Sequence, residues 1–122
     1  YLVCPVRNAT ELQKSFLIGY VTGLESQGYK VYYPARDTDQ NDDTGSRICN
    51  DNKIAISRSK EIHLFWDEKS IGSIFDLGIA FGYEMPLKII NIEDMKLTDG
   101  KSFTNMIYVW RNLSKLEISI PS

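Results

Sequence analysis

An α/β fold, with a parallel sheet between two helical layers, is what the sequence predicts, on three observations. Short apolar runs alternate with amphipathic stretches along all 122 residues. The apolar runs are nearly continuous, as expected of strands buried on both faces. The stretches between them are long enough for the crossover helices that parallel neighbours require. With 43% hydrophobic and 25% charged residues, the chain suits a single domain over 1–122, large enough to bury a core without metal or disulfide staples.

Each element has a local reason. Residues 1–4 read as a first strand, stopped by Pro5. Over residues 10–27, Leu12, Phe16, Leu17, Tyr20, Val21 and Leu24 recur on one helical face, and Gly28 ends it. Residues 30–33 are β-rich and close at Pro34, while the aspartate-rich segment 35–46 predicts a loop. A second helix is expected over about 47–59, burying Ile48, Ala55 and Ile56, then a third strand over 61–66. A third helix over about 72–83 carries Ile74, Leu77, Gly78 and Phe81, with Pro86 at its exit. Residues 87–90 form the fourth strand, 103–113 the fourth helix, and 116–120 a short last strand. This order predicts a flavodoxin-like or Rossmann-like three-layer sandwich with four to five parallel strands, arranged 2-1-3-4.

Charge and composition exclude several classes. Fourteen basic against sixteen acidic side chains leave a net −2, which argues against a polymeric nucleic-acid partner. No run approaches the ~20 apolar residues of a membrane span. Cys4 and Cys49 lie far apart without a C-x-x-C, and His63 is the only histidine; neither a metal nor another cofactor is expected. Two reduced thiols suit the cytoplasm. Tyr1 in place of Met suggests a trimmed start, and no signal-peptide pattern is expected there. His63 sits in an apolar stretch and reads as a strand-face residue, so triad chemistry is not expected.

In open parallel sheets ligands bind beyond the carboxyl ends of the strands. That rule selects Cys4, Pro5 and Arg7 after the first strand, and Arg36, Asp37, Asp39 and Gln40 after the second. The interleaved donors and acceptors could grip a base or a ribose; a solvated acidic loop is the alternative. A calcium loop is rejected, because Asp42 stands where glycine is needed and Ile48 where the bidentate glutamate belongs. After the third strand, Ser70, Gly72 and Ser73 meet a helix start, where free N–H groups and the positive helix end can cradle an anion. Ordinary capping would explain the same residues. Asp76 follows one turn later, its carboxylate favoured by the helix dipole. Phe103, Tyr108 and Trp110 on the last helix suit either the core or an oligomer interface, through which a neighbour's Asn105 or Tyr108 could complete the site.

The run Ser70-x-Gly72-x-x-x-Asp76-Leu77-Gly78-x-Ala80, followed by Pro86, resembles the signature of the nucleoside 2-deoxyribosyltransferases and their nucleotide N-glycosidase relatives. Residues 1–5 are similar to that family's first strand and proline turn, and the resemblance extends to about Asn91. It implies a homo-oligomer that cleaves or transfers the bond between a base and a ribose or deoxyribose, acting on nucleosides or their 5′-monophosphates. It also implies that the acid at Asp76 attacks the anomeric carbon, as carboxylates do in retaining glycosidases, with Ser70 and Ser73 near the sugar or phosphate. The departures are specific. Asp76 replaces a glutamate and reaches ~1.5 Å less. Asn52 and Lys60 occupy places where the family carries acids; Asp51, one residue away, is the candidate second acid if the register slips. Loss of that apparatus would instead leave a non-catalytic nucleotide-binding module.

Overall fold

The computed structural model describes residues 1–118. It contains β1 (Leu2–Val3), α1 (Glu11–Ser26), α2 (Pro34–Asp37), α3 (Ser46–Ser57), β2 (Ile62–Leu64), α4 (Ile71–Gly82), β3 (Leu87–Ile89) and α5 (Phe103–Ser114), with a 3-10 turn at Ile92–Asp94. The architecture is α/β, and the strands pair in parallel in the order β1-β2-β3. Leu2 faces His63 and Val3 faces Leu64 across the first ladder, and Leu64 faces Ile89 across the second.

Strand alternation divides the core between the two sheet faces. Val3, Ile62, Leu64, Leu87 and Ile89 pack against Ile56 of α3, Leu77 and Ala80 of α4, and Ile107 and Trp110 of α5. Leu2 and Cys4 point the other way, onto Leu17 and Val21 of α1. Each such side chain, fully buried, contributes roughly 1.5–3 kcal/mol. Helix α1 starts in a capping box, Gln13 N–H donating to Thr10 Oγ1 (3.1 Å) and Thr10 N–H to Gln13 Oε1 (3.0 Å). It ends at Gly28, whose φ of +92° a side chain would resist. Only Leu17, Val21 and Leu24 of α1 are buried; Leu12 and Phe16, expected on the same face, are exposed. On α4 the buried positions are Ser73, Leu77 and Ala80, leaving Gly78 and Phe81 outside. Of the α5 aromatics, Trp110 joins the core and donates from Nε1 to Met85 O (2.8 Å), while Phe103 is exposed.

Among the described residues the sheet has three strands where four to five were expected. Residues 30–33 run beside β1, and Leu2 N–H donates to Tyr32 O (2.9 Å). On the edge turned away from β1, two groups are taken by side chains: Arg36 donates to Val31 O (2.9 Å), and Asp37 accepts from Tyr33 N–H (2.9 Å). Pro34 then starts the helical turn α2 inside what reads as loop. No ladder can extend past that point. Of the last expected strand, Leu116 and Glu117 lie in a turn after α5, and residues 119–120 lie outside the described residues.

His63 is buried on β2, as a strand-face residue should be, with the Tyr20 hydroxyl 2.6 Å from Nδ1. Beyond the sheet, the Asn91 carboxamide mimics a missing rung. Its Oδ1 accepts from Trp66 N–H (2.6 Å) and its Nδ2 donates to Trp66 O (2.9 Å), extending the β2–β3 pairing into the loop that leads to α4.

Candidate functional site

A cavity of about 1400 Å³ opens at the carboxyl ends of the strands. Of the residues singled out from sequence, Cys4, Pro5, Arg7, Gln40, Asn52, Ser70, Gly72 and Asp76 line it. Phe65, Trp66 and Phe75 supply apolar wall, and the rim mixes Arg7, Lys69 and Lys96 with Asp42, Asp43, Asp67, Glu68 and Asp94. A second cavity, about 1030 Å³, lies at the opposite end of the sheet and is lined by Tyr20, Glu61 and His63.

Asp76 is the chemical centre of the first cavity. The Tyr1 hydroxyl donates to its Oδ2 at 2.8 Å, and Oδ1 has no partner among the described residues. Burial pushes the Asp76 carboxyl up to about 6, with the Tyr1 hydrogen bond acting in the opposite direction. Burial likewise raises the Tyr1 phenol far above its ordinary value, helped by the Asp76 charge. The Cys4 thiol is pushed up to about 12 by burial, again with Asp76 contributing. Tyr1 and Cys4 are thus neutral donors beside a half-dehydrated carboxylate. Such a group can act as a nucleophile or as a general base near neutral pH.

The start of α4 forms the adjoining wall. Ser70 is its N-cap, its Oγ accepting from Ser73 N–H at 3.3 Å. Ser73 itself is buried and lies behind Ser70, Oγ to Oγ 2.8 Å, so it orients the cap rather than lining the cavity.

Five expected site residues serve the fold instead. Arg36 binds Glu25 (2.9 Å) and Asp37 (2.8 Å), and Asp37, held below its ordinary value by Arg36 and by Tyr33 N–H against the effect of burial, braces residues 31–37. Asp39 accepts from Asn41 N–H (2.9 Å) in an Asx turn, and its carbonyl receives Arg47. Asp51 pairs with Arg47 one helical turn away (2.7 Å) and lines the opposite cavity. Asp51 therefore cannot serve as the second acid at Asp76; one residue rotates a helical side chain by roughly 100°. Asn105 spends its amide on the turn before α5, donating to Thr98 O (2.7 Å) and Gly100 O (2.6 Å). Of Asp37, Asp39, Asp42, Asp43 and Asp51, only Asp42 and Asp43 reach the mouth. Asp42 also closes the start of α3, accepting from Ile48 N–H (3.1 Å), where the N-cap Gly45 offers no side chain.

Sequence reasoning missed Tyr1 and the hydroxyls behind Asn52. Tyr1 shares a sheet face with Val3, the face that α3, α4 and α5 cover; strand alternation was the signal that could have linked it to Asp76. Behind Asn52, Thr38 Oγ1 lies 2.7 Å from Asn52 Oδ1 and 2.6 Å from the Tyr32 hydroxyl.

Among the described residues no group of three or more His, Cys, Asp or Glu could hold a metal ion, and no helix is long and apolar enough to cross a membrane. Compared with protein-family models, with characterised proteins and with solved structures, the chain matches none.

Proposed function

We propose that this chain is a flavodoxin-like, nucleoside 2-deoxyribosyltransferase-like domain that cleaves or transfers the N-glycosidic bond of a nucleoside or nucleoside 5′-monophosphate. One observation carries the reading. Asp76 enters the cavity with one oxygen held by Tyr1, the other unpartnered, and a carboxyl value near neutrality of about 6.

In the proposed reaction the free Asp76 oxygen bonds to C1′ as the C1′–N bond breaks, and the electron pair leaves with the base, which takes a proton from water. Water, or a second base, then displaces the carboxylate from C1′. Tyr1 holds the other oxygen in line throughout. The apolar wall of Phe65, Trp66 and Phe75 suits the flat face of a base. The Ser70 end of α4 and Arg7 suit a hydroxyl or a single phosphate. The acidic rim would repel a polyphosphate. Release of free base from a nucleoside and nucleotide panel, read by chromatography and abolished in Asp76→Ala, is the expected result.

A second reading has its own observation. Asp51 and Lys60 both belong to the opposite cavity, so no carboxylate occupies the wall of α3 nearest Asp76. A nucleotide-binding module without turnover would have this arrangement, and saturable binding with no base release decides for it. Either form acts as a cytoplasmic homo-oligomer in this proposal. Ile71, Phe75 and Phe81 are 85%, 55% and 54% exposed on α4, and Gly78 and Gly82 beside them would tolerate a Cβ without contact. Such a face suits a second copy; a monomer in sedimentation would remove that part.

A further inference from the structure

Asn52 is buried on α3, 7% exposed, and lines the cavity that holds Asp76. Which end of its carboxamide faces a ligand is decided by the hydroxyls behind it. Thr38, itself buried, donates from Oγ1 to Asn52 Oδ1 at 2.7 Å. A hydroxyl has one proton, so at the 2.6 Å contact Thr38 accepts from the Tyr32 phenol, whose other acceptor, Asp37 O, is much farther at 3.4 Å. The phenol is also the more acidic of the two hydroxyls, which makes it the natural head of such a relay. Protons therefore run Tyr32 to Thr38 to Asn52, and the amide oxygen is occupied.

The amide nitrogen is left with both protons. It has no partner among the described residues, and it is not among the sealed polar atoms that lack one. Its remaining surface is the cavity.

We infer that Asn52 is a specificity-determining residue whose fixed N–H donors select a ligand presenting a hydrogen-bond acceptor at this wall. Resting on the nucleoside reading of the site, this means a base whose exocyclic group on the edge facing α3 is oxo rather than amino. An amino group there sets donor against donor, leaving both unpaired in a desolvated place. A site built to bond one polarity rejects the other strongly. A carboxylate at this position would have the opposite preference.

The test uses inosine against adenosine 5′-monophosphate, and uridine against cytidine 5′-monophosphate, titrated calorimetrically into wild type, Asn52→Asp and Thr38→Val. Wild type is expected to favour the oxo member of each pair by ~10- to 100-fold. Asn52→Asp is expected to reverse the order. Thr38→Val, which keeps the shape but frees the amide to turn over, is expected to bring each pair within ~3-fold while binding survives. The ratio within a pair is insensitive to any general loss of stability, and Thr38→Val decides the matter if Asn52→Asp does not fold. Binding without an oxo preference, or a preference untouched by both variants, overturns the inference and leaves the nucleoside reading intact. No binding by any of the four nucleotides, by their 2′-deoxy forms or by the matching nucleosides overturns both.

Discussion

Removing the Asp76 charge should stabilise the protein at neutral pH. Burial raises this carboxyl from 3.8 in the ordinary case to about 6 in the fold, despite the Tyr1 hydrogen bond. The native state therefore holds the Asp76 proton more tightly than the unfolded chain does. The resulting stability is fully present below 3.8 and is lost as pH rises through about 6. The interval from 3.8 to about 6, at 1.36 kcal/mol per pH unit, makes the ionised carboxylate a burden of ~3 kcal/mol above it. Asn in its place keeps an oxygen for Tyr1 and carries no charge. Asp76→Asn is thus expected to be more stable than wild type by ~3 kcal/mol at pH ~7.5, or ~10 °C in Tm. The gap should narrow through pH ~6 and close near pH ~4. Urea unfolding followed by the fluorescence of buried Trp66 and Trp110 measures it directly. A variant equal to or weaker than wild type at neutral pH, or a gap that ignores pH, would refute the reasoning.

His63 should act in the opposite sense. Burial holds its imidazole well below the ordinary 6.5, only partly offset by Glu61 3.8 Å away. Its folded value is depressed, so its contribution is present above 6.5 and is lost as pH falls toward the folded value. Asp76→Asn should therefore weaken with acid below 6.5, and adding His63→Leu should flatten that slope in the same urea series. Asn91→Ala strips the partners from both backbone groups of Trp66 and should cost ~3 kcal/mol, read as a lower urea midpoint. Gly45→Ala forces a side chain into φ +83° at the start of α3 and should cost ~1 kcal/mol by thermal melting.

What could be read from sequence followed from local rules. The runs at Leu2–Val3, Ile62–Leu64 and Leu87–Ile89 are mostly apolar because both sheet faces are covered, and they formed the sheet. Thr10 and Gln13 carry the spacing of a capping box, and α1 begins there. Asp76, Ser70 and Gly72 met at the cavity because a strand-to-helix turn in a parallel sheet has only one place to go. Residues 30–33 have strand composition, but a single backbone hydrogen bond joins them to β1 before Pro34 turns the chain into α2. Asp37 and Asp39 were selected by the strand-end rule and Asp51 by the resemblance, whereas Arg36, Arg47 and the Asn41 backbone claim them. The i,i+4 spacing of Arg47 and Asp51 was the legible warning. Tyr1 meets Asp76 across 75 positions, a distance only the folded sheet closes.

The borders of this small sheet bear on how the molecule survives at high concentration. A strand with unpaired backbone groups is a template for any other extended chain, and long apolar edges seed fibres. Beside β1 that template is already occupied, its outer segment braced by Arg36 and Asp37 and cut short by Pro34. Beyond β2, the last strand among the described residues is β3, three residues long with Lys88 in the middle. An incoming strand would gain few hydrogen bonds on either side. The side chains that brace this outer edge thus guard the protein against runaway polymerisation.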